Sequence, residues 1–123
     1  CGYLITPHLV DQGLDWTDPP RRTKVNIKPT TLATIARGLR KVVSDGTGHA
    51  LNVPSVPPAA GKTGTAEDST GGPDHAWFAC FAPYPNGQIV VVAFAQNTPG
   101  GGSVHALPMA RKVLEVWTQL RKS

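Results

Sequence analysis

Two short apolar runs in the second half of the chain restrict the fold more than any other feature. Residues 77–82 read Trp-Phe-Ala-Cys-Phe-Ala, and residues 89–95 read Ile-Val-Val-Val-Ala-Phe-Ala. Both runs are short and rich in aromatic and β-branched residues, which favours strands over helices. Between them lies Tyr-Pro-Asn-Gly at 84–87, and an Asn-Gly pair is a strong hairpin signal. We therefore predict two adjacent antiparallel strands.

Other segments complete a mixed architecture. Segment 59–67 is predicted as a third strand, and a short strand is predicted from Lys24 to Ile27. A helix is expected to start at Pro29, because proline suits the first helical turn, and to stop before Gly46. A second helix is predicted at about 106–120, with Trp117 in the core. The fold class is therefore α/β (α+β), an antiparallel sheet flanked by helices.

Both faces of this sheet and one of its edges need cover. The run 89–95 is apolar throughout, and strands that are apolar on both faces are normally covered on both. Two helices could cover the two faces. The outer edge of strand 89–95 would still present unpaired backbone groups, so we expect something else to cover this edge.

Segment 59–67, Ala-Ala-Gly-Lys-Thr-Gly-Thr-Ala-Glu, carries the chemistry. Alternation along a strand predicts Lys62 and Gly64 on one side and Thr63 and Thr65 on the other, unless the strand twists at Gly64. A cation and two hydroxyls on one short strand are suited to holding an anion. A phosphate-binding loop would need glycine at position 56, which is Val56. For an isolated match of this length, a solvated lysine in a turn would be the simpler explanation.

The order of the motifs decides between these explanations. Lys-Thr-Gly at 62–64 is followed by His-Ala-Trp-Phe at 75–78, by the apolar strand 89–95 and by a helical tail. Together with segments 2–10 and 38–43, this order resembles the C-terminal part of the transpeptidase domain of class B penicillin-binding proteins, particularly the elongation type. The resemblance covers the chain from Gly2 to about Trp117.

The resemblance implies a serine-type peptidoglycan D,D-transpeptidase that cross-links stem peptides and is acylated by β-lactams. It implies catalytic roles for Lys62 and Thr65, the latter through a backbone N–H of the oxyanion hole, and substrate-binding roles for Thr63, Gly64 and Thr65. The remainder of the transpeptidase domain, in the same or a second chain, is the implied partner. The implied location is the extracytoplasmic face of the bacterial cell membrane.

The family's two serine motifs are absent from this sequence. No serine is followed at the third position by lysine, and no Ser-x-Asn occurs. The chain also opens at Cys1 without a methionine. We therefore expect residues 1–123 to be the C-terminal portion of a transpeptidase domain and to be inactive alone. Two alternatives stay open, namely a β-lactam sensor or class D-like β-lactamase, and a non-enzymatic interaction module.

Composition excludes other classes of function. Twelve Lys and Arg against eight Asp and Glu leave a net charge of +4 without a basic run, so nucleic-acid binding is not predicted. Cys1, Cys80 and four scattered histidines show no metal-ligand spacing, and we predict no metal and no cofactor. Cys80 is expected to be a buried free thiol.

Two segments lack periodic patterns. Residues 44–58 are predicted to be a connector that borders the cleft, and residues 68–74 a loop beside the Lys-Thr-Gly strand. With two glycines and no apolar anchor, the second loop is expected to be mobile in the free protein.

Overall fold

The computed structural model describes residues 2–5 and 22–122, which fall into two units, 1–35 and 36–123. In the first unit, strands β1 (Tyr3–Ile5) and β2 (Arg22–Lys24) pair antiparallel. The predicted strand at 24–27 is wrong, because the N–H of Ile27 donates to the carbonyl of Val25 and turns the chain there. Most of the motif-like segment 2–10 lies outside the described residues.

Helix α1 spans Pro29–Ser44, which confirms the start at Pro29 and the stop before Gly46. In the second unit its last turns contact the connector. Val43 is fully buried, and Arg40 donates from Nη1 to the carbonyl of Ala59 at 2.8 Å. That carbonyl directly precedes the strand with the Lys-Thr-Gly motif, so α1 helps to position this strand.

The second unit contains a three-stranded antiparallel sheet. Its strands are β3 (Ala60–Ala66), β4 (His75–Ala82) and β5 (Ile89–Ala95), in the order β3-β4-β5. The predicted strands and their hairpin are thus confirmed. The order leaves β3 at one edge and β5 at the other.

The hairpin connection contains the Tyr-Pro-Asn-Gly segment, as predicted, but it is not a tight Asn-Gly turn. Strands β4 and β5 are joined by the six residues 83–88, and the N–H of Gln88 donates to the carbonyl of Ala82 at 2.8 Å. Neither Asn86 nor Gly87 has the positive φ that a tight Asn-Gly turn requires. Prolines at 83 and 85, both preceded by cis peptide bonds, lie in this connection.

One face of the sheet packs against helix α2 (Ala106–Leu120), whose bounds agree with the prediction. The core combines buried residues from β4, β5, α1, α2 and the connector; its largest fully buried side chains are Phe78, Leu51, Leu107, Leu114 and Val43. The connector 44–58 is therefore partly structured and contributes to the core, because it forms a short 3-10 helix (His49–Leu51) and supplies buried residues. Cys80 is a buried free thiol, as predicted.

The opposite face of the sheet is open in the part of the chain that the structure describes. Val90 is 74% exposed, Val92 60% and Trp77 40%. The expectation that the two helices cover two faces is wrong, because Val43 of α1 and the buried side of α2 join the same core. Trp117 is half-buried, and Cζ of the Arg121 guanidinium lies 4.8 Å from the centre of its ring. Contrary to the prediction, Trp117 does not belong to that core.

Within residues 2–5 and 22–122, no helix has both the length and the apolar character needed to cross a membrane.

Candidate active site

Strand β3 presents the four motif residues on two faces. Lys62 lies opposite Ala79 and Gly64 opposite Trp77, on the open face of the sheet. Thr63 and Thr65 belong to the other face, with Thr63 opposite the buried Phe78. The pairing with β4 is continuous from Ala60 to Ala66, so the alternation predicted from the sequence is confirmed and no twist at Gly64 interrupts it.

Lys62 retains most of its hydrogen-bonding capacity. Its side chain is exposed, and its ammonium donates to the carbonyl of Thr63 at 2.5 Å. Among the described residues, no carboxylate lies within salt-bridge distance of it. Because an ammonium has three donors, two remain for another acceptor. Lys62 can therefore hold an anion at the free edge of the sheet.

The two threonine hydroxyls differ in their surroundings. Thr65 is exposed, and its hydroxyl makes no hydrogen bond within the described ranges 2–5 and 22–122. The Thr63 hydroxyl lies 2.8 Å from the hydroxyl of Thr47. Sequence analysis missed Thr47, because no local pattern connects it with a strand that begins 13 residues later.

A glycine-rich loop between β5 and α2 packs directly against the motif strand. An ideal Cβ built on Gly102 would lie 2.0 Å from the carbonyl oxygen of Trp77 and 2.8 Å from that of Gly64. One built on Gly101 would lie 2.8 Å from the Thr65 hydroxyl. Since no side chain fits at Gly102, only glycine allows this approach. Sequence analysis assigned these glycines no role.

Hydrogen bonds hold the start of this loop to His75, the first residue of β4, and to Asp74 just before it. The N–H of Asn97 donates to Nδ1 of His75 at 3.1 Å, and the N–H of Thr98 donates to the carbonyl of Asp74 at 2.9 Å. Further along, Nε2 of His105 lies 2.6 Å from the carbonyl oxygen of Pro99. The loop behind the motif is thus fixed by backbone and imidazole contacts.

The loop between β3 and β4 has its own local order. The N–H of Thr70 donates to Oδ1 of Asp68 at 2.9 Å, and the Thr70 hydroxyl donates to the same carboxylate. These hydrogen bonds lower the pKa of Asp68, since they favour its ionised form. The mobility expected for residues 68–74 stays a prediction.

The site therefore offers a cation and a hydroxyl at a sheet edge, with a second hydroxyl paired to Thr47. These groups suit the binding of a carboxylate. Lys62, Gly64 and the open apolar side chains share one face, so a bound ligand or protein segment on that face would meet the lysine directly.

Comparisons with known proteins agree with this arrangement. A family model for the penicillin binding protein transpeptidase domain matches residues 1–115. The peptidoglycan D,D-transpeptidase MrdA of Haemophilus influenzae is 34% identical over 142 residues, covering 98% of this chain and 22% of the relative. The chain thus spans less than a quarter of the length of this curated relative.

Solved structures give the same assignment. A chain from a structure on the coordination of polymerization and crosslinking by a peptidoglycan synthase complex has a TM-score of 0.67 at 38% identity, over 82% of this chain and 18% of that one. Penicillin-binding protein A of M. tuberculosis, solved as an imipenem acyl-enzyme complex, has a TM-score of 0.66 at 26% identity, over 85% of this chain and 22% of its own. Both the α/β (α+β) fold and the resemblance seen in the motifs are confirmed. The chain belongs to the family of penicillin-binding protein transpeptidase domains.

Proposed function

We propose that this chain is the C-terminal portion of the transpeptidase domain of an elongation-type peptidoglycan D,D-transpeptidase. The complete domain cross-links stem peptides by acyl transfer through a serine supplied by another part of the protein. One observation carries the proposal: Lys62 of the Lys-Thr-Gly strand is exposed at the free sheet edge, without a carboxylate partner among the described residues. The match over residues 1–115 supports it.

Each motif residue has a proposed role. Lys62 supplies positive charge to the serine of the family's Ser-x-Asn motif, which relays a proton and lies outside this sequence. It also supplies positive charge to the substrate carboxylate. Thr63 and Thr65 offer hydroxyls to that carboxylate, and the Thr65 N–H forms half of the oxyanion hole. The loss of one oxyanion donor typically costs about 3 to 4 kcal/mol of transition-state stabilisation. Gly64 keeps the strand open to the substrate.

The remainder of the domain is the proposed partner of the open face. The exposed Val90, Val92 and Trp77 need cover, and exposed apolar patches of this kind mark interaction surfaces. The helix with the nucleophilic serine would lie on this side, since Lys62 points there. The proposed ligands are peptidoglycan stem peptides and β-lactams, on the extracytoplasmic face of the cell membrane.

The test is acylation of the complete domain by a fluorescent penicillin. The wild type should be labelled covalently. Lys62→Ala should lower the acylation rate by at least about 100-fold, the usual range for the removal of a preorganised electrostatic group. Its unfolding free energy should change little, because the side chain is exposed.

Lys112→Ala is the matched control, since Lys112 is an exposed lysine on α2 away from the motif strand. It should acylate as the wild type does. An unchanged acylation rate in the Lys62→Ala domain would show that Lys62 does not belong to the site. An unlabelled wild type would refute the proposed function.

A further inference from the structure

The hydroxyl pair formed by Thr47 and Thr63 has two possible hydrogen-bond directions. Their Oγ1 atoms are 2.8 Å apart, and either one can donate. Each hydroxyl has one proton and two acceptor lone pairs. If Thr63 donates to Thr47, its only proton is used. If Thr47 donates to Thr63, the Thr63 proton stays available for a ligand.

A bound anion selects between these directions. Hydrogen bonds to an ionised acceptor are roughly twice as strong as those between neutral groups. With a carboxylate near the motif, the favoured arrangement therefore has Thr63 donating to the anion and accepting from Thr47. A chain of two hydroxyls polarised in one direction also strengthens the outer hydrogen bond.

We propose that Thr47 is a positioning residue, which donates to Thr63 and thereby directs the Thr63 hydroxyl proton to the substrate carboxylate. This inference rests on the proposed function of the Lys-Thr-Gly strand. Thr47 does not contact the substrate itself; it acts through Thr63.

The backbone around Thr47 is held firmly enough for this role. The N–H of Gly48 donates to the carbonyl of Val42 at 2.9 Å, which ties the turn to the end of α1. Gly48 is buried, and a Cβ there would lie 3.3 Å from Val42 Cγ1 and 3.5 Å from the Phe78 ring. Phe78 in turn lies opposite Thr63 in the sheet. The turn that carries Thr47 and the strand that carries Thr63 therefore both lie beside Phe78.

A double-mutant cycle in the complete domain separates positioning from a merely structural contact. The variants are Thr47→Val, Thr63→Val and the double variant, with the second-order rate of acylation by a carboxylate-bearing penicillin as the readout. We expect Thr47→Val to lower this rate about tenfold, because the Thr63 hydroxyl keeps its proton but loses the neighbouring donor that orients and polarises it toward the carboxylate. In the Thr63→Val background, Thr47→Val should have no further effect.

Conservative and control variants complete the test. Thr47→Ser keeps the hydroxyl and should stay within about twofold of the wild type, since the donor is retained. Thr47→Ala provides a second variant without the hydroxyl, in case valine disturbs the turn. Thr118→Val removes a hydroxyl that donates to the Leu114 carbonyl on α2, and should acylate normally.

The outcomes are distinct. An equal loss from Thr47→Val with and without the Thr63 hydroxyl would overturn the inference, as would an undiminished rate in both Thr47→Val and Thr47→Ala. Failure of Thr47→Ser to retain activity would also overturn it. Absence of acylation in the wild-type domain would instead refute the proposed function, independently of Thr47.

Discussion

Replacement of Gly102 by alanine should displace the loop that packs behind the Lys-Thr-Gly strand. The added Cβ would lie 2.0 Å from the Trp77 carbonyl oxygen, whereas ordinary contact begins at 3.4 Å, so the loop has to retreat by about 1.4 Å. The obstacle is backbone of the sheet itself, which cannot rotate away as a flexible side chain would. Overpacking of this kind typically costs about 1–3 kcal/mol of folding stability.

The displacement should also reach the site. Gly102 packs against Gly64, and its neighbour Gly101 lies beside the Thr65 hydroxyl. A misplacement of about 1 Å in positioned groups can lower a rate about 100-fold. We therefore expect Gly102→Ala to slow acylation of the complete domain by more than its loss of stability explains, because folded molecules would carry a misplaced motif strand.

The assay combines urea denaturation with the rate of labelling by a fluorescent penicillin. Gly38→Ala is the matched control, because an ideal Cβ at Gly38 on α1 meets nothing within 4 Å. This control should stabilise the protein by about 0.5–1 kcal/mol, the usual gain for alanine over glycine within a helix, and leave acylation unchanged. A Gly102→Ala domain with the unfolding free energy and the labelling rate of the wild type would refute the reasoning.

Two further predictions concern the chain as a whole. The 123 residues alone should not be labelled by a fluorescent penicillin, because no serine stands in a Ser-x-x-Lys motif. Addition of the preceding segment of the domain should restore labelling. Labelling of the chain by itself would contradict the assigned roles. Burial raises the pKa of the Cys80 thiol from 9.0 to about 11, so the unfolded chain releases this proton at lower pH than the folded one. The free energy of unfolding should therefore fall as the pH rises from 9.0 to about 11, and in urea titrations Cys80→Ala should show a weaker decline over that range than the wild type does.

Local patterns were sufficient where neighbouring residues determine the structure. Proline at 29 and glycine at 46 predicted where α1 starts and stops, and the apolar runs predicted β4 and β5. The Asn-Gly signal indicated the hairpin but not the conformation of its six-residue connection at 83–88, in which neither Asn86 nor Gly87 has a positive φ. The end of β2 at Lys24 depends on pairing with β1, a partner that no pattern within the strand reveals.

The chemistry of the motif strand follows from the sequence by itself. Because side chains alternate along a strand, the order Lys-Thr-Gly-Thr already assigns Lys62 to one face and both threonines to the other. Only the tertiary structure decided which face is open, which residues pack behind the strand and which hydroxyl has a partner. The Thr47 hydroxyl is hydrogen-bonded to the Thr63 hydroxyl, and Gly102 packs against Gly64. Both contacts form because the loops fold back onto the sheet around a shared core. Contacts between residues so far apart in the chain depend on how helices and sheet pack together, and a linear pattern contains no signal for that packing.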